Sequence, residues 1–392
     1  MLAPIPSTDN DTLPSILIID EDPESRLVAA VLLRRSYDTR FAQDVEEACT
    51  QSIEDIPDLI IYDAKPDDIN EMKSLERLKA VPEFHTTPVI VLIPDQEPNS
   101  RAQAFKLGAD DVISKPYEIS ELLIRVKYLM KIHMYQEMLA ERNRVIEKEL
   151  DTARLLQTKL LPRVIPELPG FRFSATYLPM DKIGGDFYDF VTLDDFMHIF
   201  IADASGHGIP AAFLASLTKM AFEFYAPTNP SCDELLVKMD GVVEERSINN
   251  LYVTALCARL DLRTHVLYYA NAGHCPLFLY RRAEDRVYSL EQNSMPLGAF
   301  NYFKRKMDRF YNEASIELKP GDRIIFYTDG ITECRSPNRE LYGMEGLERY
   351  MRKNKDLPTD SFSLKLVGEL CTFAETTNLN DDLAYIVMDY IE

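Results

Sequence analysis

The 392-residue chain sets 43 Lys and Arg against 64 Asp and Glu, a formal net charge of −21 at pH 7. So acidic a chain does not concentrate a polyanion, which excludes phosphate-backbone binding as its main task, and an apolar content of 46% excludes wholesale disorder. At about 150 residues per domain the length predicts two or three domains. The six cysteines form no Cys-x-x-Cys pair and read as reduced thiols. Met1 to Pro14 holds no apolar run and the first basic residue is Arg26, so a disordered N-terminus over 1–14 with no secretory signal is expected. No stretch approaches the roughly 20 apolar residues that span a bilayer, and a cytoplasmic location follows as the expectation.

Residues 15–127 alternate short apolar strands with helical patterns. Ser15-Ile16-Leu17-Ile18-Ile19, Asp58-Leu59-Ile60-Ile61-Tyr62 and Pro88-Val89-Ile90-Val91-Leu92-Ile93 read as buried strands. That spacing predicts a doubly wound α/β fold, a parallel sheet covered on both faces with functional groups at the carboxyl ends of its strands. Acids stand there: Asp20, Glu21 and Asp22 after the first strand, and Asp63 after the middle one.

Residues 128–161 contain no Gly or Pro and many charges. Counted in heptads from Leu129, the first positions are Leu129, Gln136, Asn143, Leu150 and Gln157, and the fourth positions are Ile132, Leu139, Ile146, Ala153 and Leu160. An apolar fourth-position row with one Asn in the other row suits a parallel two-stranded coiled coil, hence a homodimer. A single amphipathic helix lying on one domain is the alternative. Pro162 and Pro166 end the helix.

Residues 162–392 follow a different grammar. Strand-like runs succeed one another at Phe171–Tyr177, Phe187–Val191, Phe196–Ala202, Tyr252–Leu260, His265–Asn271, Arg323–Tyr327 and Leu383–Ile391, with clear helices only at Pro210–Phe224 and Phe362–Ala374. Antiparallel sheets with helices packed outside fit this pattern. Four acidic clusters fall where a strand meets a turn: Gly184-Gly185-Asp186-Phe187-Tyr188-Asp189, Ile201-Ala202-Asp203-Ala204-Ser205-Gly206-His207-Gly208, Tyr327-Thr328-Asp329-Gly330 and Asn380-Asp381-Asp382. Charges beside apolar strands need compensation, and oxygen donors with no Cys and few His suit Mg²⁺ or Mn²⁺. Two such ions about 4 Å apart suit phosphoryl displacement.

These clusters, taken in order with Glu149-Leu150-Asp151-Thr152-Ala153-Arg154, Gln157, Leu160-Leu161-Pro162, Asn271-Ala272-Gly273-His274 and Pro320-Gly321-Asp322, resemble the sporulation and stress branch of the bacterial metal-dependent (PP2C-like) protein phosphatases. The resemblance runs from about Glu149 to the C-terminus. It implies a β-sandwich flanked by helices that dephosphorylates phosphoserine or phosphothreonine with two Mn²⁺ or Mg²⁺ ions. It assigns Asp186, Asp203, Asp329 and Asp381 as metal carboxylates, Ala204 as a ligand through its backbone carbonyl, and Asp189 and Asp382 as second-tier acids holding waters or loops. Ala384 stands where the closing motif often has Thr. His207 and His274, in turns beside the acids, are candidates for a general acid or for structural histidines. The Gly-Gly-Asp-Phe run alone also suggests a diguanylate cyclase, but Tyr188-Asp189 follows it where that motif has a second acid before the Phe.

Residues 15–130 resemble a response-regulator receiver, a flavodoxin-like fold, through Asp20-Glu21, Asp63, Gly108-Ala109-Asp110-Asp111 and Ser114-Lys115-Pro116. The resemblance makes Asp63 the phosphoacceptor, Asp20 and Glu21 the Mg²⁺-holding pair, and Lys115 the partner of the new charge. Two departures stand out: Ile93, followed by Pro94, occupies the position of the usual Thr or Ser, and Pro66 lies three residues after Asp63 rather than four.

The reading is a receiver (15–127), a helical connector (128–161) and a phosphatase domain (162–392). Resemblance implies a phosphorylated anti-sigma-factor antagonist as substrate and a histidine kinase or other phosphodonor upstream. A non-enzymatic adaptor that binds a sigma or anti-sigma factor is the competing class. Nothing after residue 160 forms a basic recognition helix, which argues against DNA-binding output.

Overall fold

A computed structural model describes residues 13–51, 56–64, 69–94, 98–180, 182–246, 251–292, 294–299, 311–377 and 381–391. Pro66, Asn380 and the first twelve residues of the expected disordered N-terminus lie outside them. The chain divides into two compact units, Met1–Ile146 and Glu147–Glu392.

In the first unit β1 (Ser15–Ile19), α1 (Pro23–Leu33), β2 (Asp38–Ala42), α2 (Val45–Gln51), β3 (Leu59–Asp63), α3 (Ile69–Ala80), β4 (Val89–Pro94), α4 (Pro98–Lys106), β5 (Asp111–Lys115) and α5 (Ile119–Leu160) follow one another. The parallel sheet has the order β2-β1-β3-β4-β5. Its three inner strands are the apolar runs read from the sequence. The edge strands β2 and β5 escaped that reading because an edge position is partly exposed and tolerates Asp38, Arg40, Asp111 and Lys115. Both faces are covered. Leu17, Ile60, Val91 and Val112 pack on one side, and Ile16, Ile18, Leu59, Ile61 and Ile90 on the other.

Helix α5 is 42 residues long. It starts nine residues before the connector expected at 128, because Leu122, Val126 and Met130 are buried in the first unit's core with Leu129 packed against them. Leu139 and Ile146 of the heptad's fourth-position row are exposed, and the helix ends at Leu160, just before Pro162.

The second unit runs through β6 (Phe171–Leu178), β7 (Asp186–Thr192), β8 (Phe196–Ala204), α6 (Ile209–Tyr225), α7 (Cys232–Arg246), β9 (Val253–Asp261), β10 (Val266–Ala272), β11 (Leu277–Arg281), β12 (Arg286–Leu290), β13 (Ala314–Glu317), β14 (Arg323–Tyr327), α8 (Gly343–Lys353), α9 (Thr359–Ala374) and β15 (Leu383–Tyr390). Two antiparallel sheets, β13-β10-β9-β8-β7 and β12-β11-β14-β15-β6, form a sandwich. Alternation along the strands directs Tyr188, Ile199, Ile201, Leu256, Ile324, Phe326, Ile386 and Met388 between the sheets. The opposite faces of the same strands carry Phe200 and Cys257 against α6 and α7, and Ile325, Tyr385 and Val387 against α8 and α9. The short strands β11 to β13 and the charge-rich helix α7 gave too little periodicity to be placed from sequence, while α8 went unplaced although Leu347, Tyr350 and Met351 form a buried stripe at helical spacing.

At the end of the second sheet away from the acids, Arg323 donates to both carboxylate oxygens of Asp389 at 2.6 Å, its guanidinium lies 4.2 Å from the Phe362 ring, and Thr359 donates to Asp389 at 2.7 Å. This ties α9 to β14 and β15. Removing one partner strands a buried charge. Asp389→Ala is expected to cost about 3–5 kcal/mol in urea unfolding, and a loss below about 1 kcal/mol would show that packing alone holds α9.

Candidate functional site

Four strand ends bring the acids together. Antiparallel pairing of β7 with β8 sets Asp186 directly opposite Asp203, and pairing of β14 with β15 brings the Thr328-Asp329 turn beside Asp381-Asp382. Thr328 joins the two sheets. Its hydroxyl donates to Asp186 Oδ2 at 2.6 Å and accepts the Ala384 N–H at 3.0 Å, while its own N–H donates to the Ala384 carbonyl at 2.9 Å. Asp382 accepts the N–H of Met180 on Oδ1 at 2.7 Å and that of Gly185 on Oδ2 at 2.6 Å, which ties both backbone segments to it. Two glycines are required by close approach: a Cβ at Gly330 would stand 1.9 Å from the Asp382 carbonyl, and one at Gly185 would stand 2.7 Å from the Ala204 carbonyl.

The electrostatics are those of acids without a counter-ion. Asp186 is only 3% exposed, and burial, followed by repulsion from Asp203 and Asp382, holds its carboxyl well above the usual range. Burial, then Asp329 and Asp381, pushes Asp203 up to about 7. Asp329 rises to about 6 through burial and then Asp381 and Glu333, and Asp381 is raised mainly by burial. Among the described residues no Lys or Arg pairs with these four acids. Nor do any three Asp, Glu, His or Cys side chains among the described residues converge closely enough to hold a metal ion as they stand. The donors themselves, aspartate oxygens with the Ala204 carbonyl at hand, are hard, and the charge they lack is the charge of a divalent cation, so the residues fit such an ion.

Neighbouring groups sort into supporting roles. Asp189 forms a buried ion pair with Lys219 of α6, and Lys219 also donates to Glu223 at 2.7 Å; this acid is neutralised by protein. His274 is buried, its Nδ1 lies 2.8 Å from the Thr254 hydroxyl, and burial lowers its pKa to about 4. It is a neutral structural histidine. His207 is exposed in the Gly206–Gly208 turn. Gln157, near the end of α5, makes paired bonds to one backbone unit, donating to the Gly184 carbonyl at 2.6 Å and accepting the Gly184 N–H at 3.1 Å. The sequence placed Gln157 in the heptad's first row, and nothing in its spacing showed that it reads the turn before Asp186. Thr328 was also missed, although its place directly before Asp329 at a strand end was a usable signal.

In the first unit a cleft of about 320 Å³ at the carboxyl ends of the strands is lined by Asp20, Asp22, Asp63, Lys115 and Tyr117. Lys115 Nζ lies 2.5 Å from Asp63 Oδ2. Asp20 is buried, which raises its carboxyl despite an N–H donated by Asp22 at 2.8 Å, while Glu21 is exposed. Asp22 turns toward α1 and accepts from Ser25 at 2.8 Å. Ile93 is buried opposite Ser114 in the β4–β5 pair.

A parallel sheet with this cleft, followed by a two-sheet sandwich with acids at its strand ends, defines a receiver joined to a PP2C-type phosphatase domain. Residues 16–127 match the response regulator receiver domain, and residues 194–391, half of the chain, match the family described as Stage II sporulation protein E (SpoIIE). The chain belongs to the SpoIIE family. It is similar to the phosphoserine phosphatase RsbU of Bacillus subtilis strain 168, with 32% identity over 193 residues, 49% of this chain and 56% of the relative. It is similar also to the protein IcfG of Synechocystis, with 25% identity over 278 residues, 63% of this chain and 42% of the relative. The chain thus spans about half the length of the curated relatives it matches. In fold, the SiaA-PP2C domain of Pseudomonas aeruginosa superposes with a TM-score of 0.56 at 21% identity, over 64% of this chain and 98% of that one. Among the described residues no helix is long and apolar enough to cross a membrane.

A carboxyl raised on folding binds its proton more tightly in the folded state, so stability falls as pH rises between the unfolded value of 3.8 and the folded value of about 7 for Asp203. Metal-free protein is expected to lose urea resistance from about pH 4 to about pH 7, and Asp203→Asn is expected to flatten that slope. An identical slope in the variant would show that Asp203 does not titrate in this window.

Proposed function

We propose that the chain is a protein serine/threonine phosphatase of the cytoplasm, divided into a receiver (15–127), a helical connector (128–161) and a metal-dependent catalytic domain (162–392). The observation that supports it most is the facing pair Asp186 and Asp203 with Asp329 and Asp381 beside them, desolvated and, among the described residues, lacking a counter-charge. Asp186, Asp203, Asp329, Asp381 and the Ala204 carbonyl would hold two Mn²⁺ or Mg²⁺ ions. Such ions, when bound, make a nucleophile from water and steady the charge of the displaced phosphoryl group. The protein's own part is orientation: Thr328 fixes the Asp186 carboxylate, Asp382 fixes the backbone at Met180 and Gly185, and Gly330 lets the last two acidic turns touch.

The substrate we infer is a phosphoserine or phosphothreonine protein, an anti-sigma-factor antagonist by analogy with the RsbU-like relative. In the receiver, Asp63 is the proposed phosphoacceptor, Asp20 and Glu21 the Mg²⁺ pair, Lys115 the group that meets the phosphoryl charge, and a histidine kinase or other phosphodonor the source. Ile93 offers no hydroxyl to follow the phosphoryl group, so the signal leaves by another path. Helix α5 supplies one: it begins in the receiver's core, and its last turns grip Gly184 through Gln157. A parallel homodimer through the connector would let rotation of the helix pair move that grip. An adaptor without activity has no use for four uncompensated acids.

Release of phosphate from a phosphoserine protein is expected to require Mn²⁺ and to fall at least about a hundredfold in Asp203→Asn. Failure to bind Mn²⁺ at millimolar concentration would sink the enzyme reading. For the coupling, acetyl phosphate is expected to change the rate in the wild type and to leave Gln157→Ala unchanged. Equal wild-type rates with Asp63 demonstrably phosphorylated would rule the coupling out.

A further inference from the structure

The Tyr177 hydroxyl is completely buried yet has no hydrogen-bond partner among the described residues, a costly state for a phenol. It stands at the floor of the acid cluster. In the β6–β15 register Tyr177 lies directly opposite Ala384, and its ring packs against the inter-sheet core that buries Ala384. Ala384 carries no side-chain donor, and on its other flank the Thr328 hydroxyl is already engaged by Asp186 and the Ala384 backbone. Among the described residues, then, neither neighbouring strand offers the Tyr177 hydroxyl a partner.

Its target is marked by Gly184. A Cβ on that glycine would stand 2.5 Å from Tyr177 Oη and 2.4 Å from Asp382 Oδ2, so both oxygens crowd the same side of Gly184. Asp382 Oδ2 accepts one N–H there, from Gly185, and a carboxylate oxygen has room for a second donor. Burial, then the nearby Asp382 and Asp186 charges, pushes the phenol's pKa far up, which keeps it a donor at any working pH.

We propose that Tyr177 is a positioning residue of the metal centre: its hydroxyl donates across one water toward the Asp382 carboxylate, and completes the set that locks Met180, Gly185 and Asp382 around the neighbouring Asp186 and Asp381. This rests on the metal-dependent reading above and adds a residue that acts through Asp382 rather than by touching the ion.

The test is Mn²⁺ titration of the full chain by calorimetry, with thermal melting as the control for folding. Tyr177→Phe keeps the ring and removes the hydroxyl, so a purely packing role predicts unchanged affinity. The proposal predicts Mn²⁺ binding weakened about 3–10-fold, as for loss of one supporting hydrogen bond. Asp382→Asn is expected to weaken binding by itself, and the double variant to lose less than the two single losses combined. Wild-type affinity in folded Tyr177→Phe, or fully additive losses, would overturn the proposal while leaving the metal reading intact. If Tyr177→Phe does not fold, full Mn²⁺ affinity in Asp382→Asn overturns it equally. No Mn²⁺ binding by the wild type would remove both readings together.

Discussion

Crowding of carboxylates at the mouth of a β-sandwich, with no basic side chain among the described residues to neutralise them, is the constraint on which the second unit depends. Asp186 is nearly sealed from solvent, and Asp203, Asp329 and Asp381 each feel at least one other acid. Repulsion of this kind lowers the stability of the empty domain, and a fold keeps it only where the surrounding framework is strong enough to bear it. Here the framework is the pair of five-stranded sheets, with large apolar clusters between them and on their outer faces.

The framework reaches the acids through a few hydrogen bonds. Thr328 bridges one sheet to the other, Asp382 gathers two backbone amides, and Gly185 and Gly330 allow carbonyls to approach where any side chain would collide. Not every acid in the region shares this condition. Asp189, only three residues from Asp186, is neutralised by Lys219, so the same stretch of β7 holds one acid without a counter-charge and one that is a buried structural pair. This contrast separates chemistry from architecture more sharply than acidity alone.

Helix α5 gives the chain its organisation. Its first turns are core elements of the receiver, its middle is exposed, and its last turns hold the backbone just before Asp186.

Much of this was legible in the amino-acid order. Strongly apolar runs such as Ile16–Ile19, Val89–Ile93 and Arg323–Tyr327 are strands because burial on both faces leaves little room for another reading, and acids next to them announce a site because an unpaired charge there is costly. Edge strands β2 and β5, short strands β11 to β13 and helix α7 were not read, since partial exposure or shortness blurs their periodicity, and α8 was passed over although its apolar stripe at Leu347, Tyr350 and Met351 was there to be read. Which acid faces which, that Asp189 meets Lys219, that Gln157 grips Gly184, and that Tyr177 stands opposite Ala384 are facts of tertiary structure. Local order determines which residues must be buried and which turns can carry acids; only the pairing of strands distant in the chain decides the neighbours of each side chain, because those contacts join residues up to about 200 positions apart.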